Sequence, residues 1–117
     1  MQNVIFDNTI AELKTIFGTP RHLVSKNGVR FQRNGSVTVY HEEIAPGNSA
    51  EIALNVQALA SSFGVTPLSL NKLVNECNAM TGRAVEINKR QNWPRIGIAS
   101  EEHVLLVKQR LSALLLR

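Results

Sequence analysis

The stretch NVQALASSFGVTPLSLNKLVNE, residues Asn55–Glu76, decides the fold. Val56, Leu59, Ala60 and Phe63 recur at the spacing of one helix face, and Asn55 before them is a residue type that caps helix N-termini. Gly64 stands where a left-handed backbone angle ends a helix at low cost. Thr66 offers a hydroxyl to cap a second helix, and Pro67 falls in its first turn, where a missing N–H is harmless. Leu70, Leu73, Val74 and Cys77 supply that helix with an inner face, and Gly82 marks its end. Two short helices around a tight turn result, with the polar residues kept for the second.

Outward from this pair the periodicity changes. Ile10, Leu13, Ile16 and Phe17 follow one helix face, Thr9 with Glu12 forms a capping box, and Gly18 with Pro20 stops the helix. The preceding NVIF reads as a short strand. From His22 to Leu54 the period is two: HLVS, VRFQ, SVTVYHEE and AEIAL alternate or are β-branched, and KNG, RNG and APGN separate them. This is a small antiparallel meander. After Gly82, AVEIN and RIGIA alternate around the basic tip KRQNWP, and Ser100 caps a last helix over residues 101–117.

The 117 residues suffice for one domain, with 44% hydrophobic and 19% charged residues, a composition that excludes a disordered tail. No run of apolar residues is long enough to span a membrane, and the N-terminus lacks the pattern of a signal peptide. A lone cysteine, Cys77, cannot form an internal disulfide, so a reducing compartment, the cytoplasm, is expected. The net charge is +4. The cations cluster, with Arg21, Lys26, Arg30 and Arg33 in one run and Arg83, Lys89, Arg90 and Arg95 in another. Such segregation suits a polyanionic partner and equally suits solvated hairpin tips.

Counted from Val56, a small residue stands fifth (Ala60), a glycine ninth (Gly64), and apolar residues at the fourth, eighth, tenth, fifteenth and eighteenth places (Leu59, Phe63, Val65, Leu70, Leu73). The pattern resembles the helix-turn-helix superfamily. Ala60 would sit where the helices cross, Gly64 would make the turn, and the apolar set would join both helices to the core. LASSFGVTPLSLNKLV also resembles the recognition-helix region of AraC-type regulators, which carry two such motifs where this chain has one. A strand before the pair and a hairpin after it give the order of winged-helix domains, although the long meander departs from that pattern.

The resemblance implies an α+β domain: an N-terminal helix and meander over 1–54, the helix-turn-helix over 55–82, a wing-like hairpin over 83–99 and a C-terminal helix over 100–117. It implies that the helix starting at Pro67 enters the major groove of duplex DNA, as in a small transcriptional regulator. The outward residues Thr66, Leu68, Ser69, Asn71, Lys72 and Asn75 would meet bases and phosphates, and Lys89, Arg90 and Arg95 would hold the backbone from the wing. Val104, Val107, Leu111 and Leu114 repeat at helical steps among further leucines, which suggests a homodimer interface or packing on the chain's own meander. Trp93 either anchors the hairpin or stacks on a nucleotide.

No phosphate loop, carboxylate pair or nucleophile elbow points to an enzyme, and His22, His41, His103 and Cys77 lack metal-ligand spacing. No cofactor is expected. The competing reading is an accessory or inhibitor protein that binds a protein or RNA partner through the same basic surface.

Overall fold

A computed structural model describes residues 3–22, 28–31, 36–42, 47–82 and 93–116. It is an α+β domain in the order α1 (Val4–Phe17), β1 (Pro20–His22), β2 (Gly28–Phe31), β3 (Val37–His41), β4 (Ala50–Leu54), α2 (Val56–Phe63), α3 (Pro67–Thr81), β5 (Arg95–Ile98) and α4 (Glu101–Leu115). The five strands form one antiparallel sheet in sequence order. No helix among the described residues is long and apolar enough to cross a membrane.

Strand alternation sorts the sheet into two faces. Val29, Phe31, Val37, Val39, Ile52, Leu54, Ile96 and Ile98 share the inner face, all buried, and α1 crosses it at β3 and β4. Phe17 of α1 packs on Phe31 of β2 and on Phe63 of α2, with ring centroids 5.8 and 5.9 Å apart. Those rings join the sheet, the first helix and the helix pair into one core. The outer face carries Arg21, Arg30, Thr38, Tyr40, Glu51, Ala53 and Arg95.

Helix α1 begins earlier than the sequence pattern suggests. Its cap is Asn3, whose side chain accepts the Phe6 N–H at 3.0 Å, so NVIF is the cap and first turn of a helix rather than a strand. Thr9 is buried inside that helix, its hydroxyl donating to the Ile5 carbonyl at 2.7 Å. The Asn3 amide donates to the carbonyl of Ser49 at 2.8 Å, and this tertiary bond favours the longer helix.

Helix α4 corrects a second expectation. Val104, Val107 and Leu111 are buried within this chain's own core, and Leu114 is partly buried against it. The helix packs chiefly on α1 and on α3 rather than on the meander. Val104, Val107 and Leu111, offered as a dimer interface, are therefore core residues, and the large apolar side chains exposed here are Leu105 of α4 and Leu116 at its C-cap.

Of the hairpin expected after α3, the described residues include only its second strand, β5. Residues 83–92, with Lys89 and Arg90, lie outside the described residues. Strand β5 pairs with β4, so RIGI joins the main sheet. Along its other edge the Asn78 amide donates to the Arg95 carbonyl at 2.8 Å and accepts the Gly97 N–H at 3.1 Å. The next N–H, of Ala99, is taken by His103 Nδ1 at 3.0 Å. A side chain thus imitates a neighbouring strand along this edge, and the expected strand AVEIN, 84–88, lies outside the described residues.

Candidate nucleic-acid interface

The helix pair owes its geometry to its caps. Asn55 accepts the Ala58 N–H at 3.3 Å to open α2. Gly64 closes α2 with φ 68° and ψ 32°, the left-handed region that a side chain would strain. The Val65 N–H then reaches back to the Ala60 carbonyl at 3.1 Å, satisfying one of the helix's last acceptors. Two residues later Thr66 accepts the Ser69 N–H at 3.1 Å while the Ser69 hydroxyl donates to the Thr66 carbonyl at 2.7 Å. This reciprocal pair fixes the first turn of α3, with Pro67 inside it.

One side of α3 is committed to the fold. Leu70, Leu73, Val74 and Cys77 are buried, and Asn78 reads the edge of β5. Burial pushes the Cys77 thiol up to about 11, so it stays protonated as a small apolar side chain. The other side is open. Leu68 is 76% exposed, and Asn71, Lys72 and Asn75 are exposed without a hydrogen-bond or ion-pair partner among the described residues. Thr66 is exposed as well and Ser69 half-buried, each engaged in the capping pair. The six α3 residues expected at a ligand therefore lie together on one end and flank of the helix.

A shallow groove of about 240 Å³ runs between α3 and α4 beside this flank, lined by Ser69, Lys72, Leu73, Glu76, Arg110 and Leu114 among others. Arg110 approaches Glu76 at 4.0 Å and the sulfur of Met80 at 3.6 Å. Sequence reasoning missed Arg110 because the surrounding leucines drew attention to the apolar face. Its place three residues after the core position Val107 was the available signal that it lies on the helix side flanking α3.

Arg95 departs from expectation. Its side chain is 9% exposed, it meets Glu51 at 3.1 Å, and its guanidinium lies over the Tyr40 ring at 4.5 Å. Glu51 also accepts from Asn48 at 2.9 Å. A guanidinium held in an ion pair and against an aromatic face is part of the fold, not a free phosphate clamp. Trp93 is half-buried, and the neighbouring Pro94 carbonyl accepts the Leu54 N–H at 3.0 Å, which ties the start of β5 to the end of β4.

No protein-family model, curated protein or solved structure matches the chain. The site must be argued from its own chemistry.

That chemistry is polar but barely charged. Between Asn55 and Gly82 the charged residues are Lys72 and Glu76. The described residues as a whole hold seven basic and seven acidic side chains, so the net +4 of the chain lies in the segments outside them. What α3 offers is amide, hydroxyl, methyl and one ammonium group, a set suited to base edges more than to phosphates alone. His41 packs edge-on against Phe6 at 5.1 Å, and no three His, Cys, Asp or Glu side chains among the described residues gather as metal ligands.

Proposed function

We propose that the protein binds duplex DNA, as a small transcriptional regulator of the cytoplasm, by placing the N-terminal half of α3 in the major groove. The supporting observation is the joint exposure of Leu68, Asn71, Lys72 and Asn75 on a helix whose start is rigidly capped by Thr66 and whose opposite side is buried. Asn71 is the reader of adenine, since its amide can donate to and accept from one base edge. Lys72 contacts a phosphate or guanine, and Leu68 contacts a thymine methyl. Arg95 drops out of this scheme; Lys89 and Arg90 remain its candidates for the phosphate backbone.

Homodimerisation would present two copies of α3 to a two-fold site. Its interface would draw on the exposed Leu105 and Leu116 in place of Val104, Val107 and Leu111.

A second reading is favoured by one observation: α3 leads with a 76% exposed leucine and carries little charge. That surface also suits a protein partner, which a reader of DNA alone would not need.

Selection of bound duplexes from a random pool, followed by mobility-shift titration, separates the two. The DNA reading expects an enriched site and affinity that falls steeply with salt. Asn71→Ala then loses discrimination at one base pair by about 1–3 kcal/mol. Lys72→Ala at a phosphate lowers affinity for all duplexes alike and reduces the salt slope by about one. Absence of any enriched site, with affinity indifferent to salt, rejects the DNA reading.

A further inference from the structure

The outer face of the sheet holds an arrangement that the core does not require. The register sets Arg21 opposite Arg30, Arg30 opposite Thr38, Thr38 opposite Ala53 and Ala53 opposite Arg95. One cross-strand row therefore runs through all five strands with an arginine pair at one end, an arginine at the other, and two small residues between. Arg21 and Arg30 are like charges directly opposite each other, a placement that destabilises a sheet unless something offsets it. Neither has a hydrogen-bond or ion-pair partner among the described residues. The carboxylate in the next row, Glu51, is claimed by Arg95 and Asn48.

Three buried polar atoms in this same row lack a hydrogen bond: Arg30 Nε, Thr38 Oγ1 and Arg95 Nε. Thr38 is 0% exposed. Buried donors are nearly always satisfied, and each one left alone costs stability. A charge on an edge strand can serve to discourage strand pairing, which accounts for Arg21 on β1. It does not account for Arg30, one strand further in, with a sealed Nε and a like charge opposite it.

We propose that the Arg21–Arg30 end of this row is a site for a phosphate group, held by those two side chains, which solvent reaches where Thr38 is sealed. Arg30 is only half-buried, so its fork can turn outward and give a phosphate two parallel N–H bonds, Nε included. The ligand's charge removes the Arg21–Arg30 repulsion in the same step. Arg95, fixed by Glu51 and Tyr40 beyond the sealed Thr38 and Ala53, takes no part. The site is distinct from α3, and it stands or falls independently of the major-groove reading.

Thermal unfolding of the full chain in inorganic phosphate, against sodium chloride at matched ionic strength, tests it. With phosphate about tenfold above its Kd the wild-type midpoint rises by roughly 5 °C. Arg30→Met has an equal or higher midpoint in chloride, because repulsion and an orphaned donor are gone, and shows no specific response to phosphate. Arg30→Lys keeps the charge but not the fork and responds weakly. General salting-out by phosphate acts on wild type and variants alike, so the difference between them is the reading.

A short duplex that reproduces the Arg30-dependent shift assigns the phosphate to a nucleic-acid backbone. A response to inorganic phosphate alone assigns it to a free small molecule. A wild-type shift no larger than that of Arg30→Met overturns the site, as does an Arg30→Met midpoint several degrees below wild type in chloride. The Asn71→Ala variant retains the full phosphate shift, which keeps this test separate from that of α3.

Discussion

Helices α3 and α4 are alike on paper: 15 residues each, each opened by a hydroxyl cap, each with four buried side chains at helical spacing. They differ in what their remaining sides do. Four polar side chains of α4 are spent on neighbours. Glu101 accepts from Asn8 of α1, Lys108 meets Glu12 at 3.4 Å, Arg110 leans on Glu76 and Met80 of α3, and His103 takes the Ala99 N–H. Asn71, Lys72 and Asn75 of α3 have no such engagements among the described residues. One helix is a brace between α1 and α3, and the other is a brace on one side and a free surface on the other. Two helices with similar hydrophobic patterns can thus have different uses, and the polar contacts tell them apart.

The contrast is most exposed to failure in the leucines of α4. Leu111 is fully buried, whereas Leu116 is 52% exposed. Leu111→Ala should lose about 3 kcal/mol of unfolding free energy, the removed side chain plus the cavity it leaves. Leu116→Ala should stay within about 0.5 kcal/mol. Urea titration of the two variants decides. Equal losses would mean that α4 is not seated as described, and a concentration-dependent loss only in Leu116→Ala would place a second chain on its exposed side.

The buried side of α3 makes its own prediction, in alkali. The Cys77 thiol is raised from 9.0 to about 11 mainly by burial; Arg110 opposes the shift and Glu76 adds to it. Folding therefore holds a proton that the unfolded chain releases. The stabilisation is complete below pH 9 and disappears as pH climbs through about 11, for a total of roughly 2–3 kcal/mol. Cys77→Ala should lower stability at pH 7 but flatten this alkaline loss. If wild type and variant decline in parallel between pH 9 and 11, Cys77 is not sealed in the core.

These expectations also mark how far the sequence could be read. The pair α2–α3 was legible because its signals are local: Asn55, Gly64, Thr66 and Pro67 act on the backbone within three or four residues of themselves. Strands β2 to β5 were legible from alternation, whereas β1 meets the expected HLVS only at His22 and NVIF is helical. What failed to appear was whatever depends on distant partners. Thr9–Glu12 satisfies the local rule for a cap, but Asn3 can reach Ser49, 46 residues away, and only the folded chain reveals that bond. Arg95 follows a basic tip in sequence, yet its partner is Glu51, 44 residues earlier on the adjacent strand. The leucines of α4 announce burial without naming what buries them, which left a second chain and the chain's own meander as the competing solutions, while the helices α1 and α3 went unconsidered. In the candidate site, the exposed residues of α3 followed from periodicity, while the groove beside them and Arg110 required the position of α4.

The turn between the helices gives a smaller and sharper test. A Cβ at Gly64 would meet no atom within 4 Å, so the cost of Gly64→Ala is purely that of the left-handed backbone, about 1 kcal/mol. Gly64→Asn should cost less, since asparagine tolerates this conformation better. A loss well above 2 kcal/mol would show that the side chain does find a neighbour and that the helices approach more closely than described.

The smallest effect is the most informative about α3. If its open side makes no contribution to folding, then Asn71→Ala, Lys72→Ala and Asn75→Ala should each alter stability by less than about 0.5 kcal/mol, and the triple variant should equal their sum. Alanine is the better helix former, so the asparagine changes should if anything stabilise. Differential unfolding of the four proteins measures this directly. A substantial combined loss would mean that these side chains hold the fold together, which would leave α3 with no surface to spare for a partner. A stable triple variant that has lost its ligand would separate the two roles of one helix, with Leu70, Leu73, Val74 and Cys77 for the core and the opposite flank for recognition.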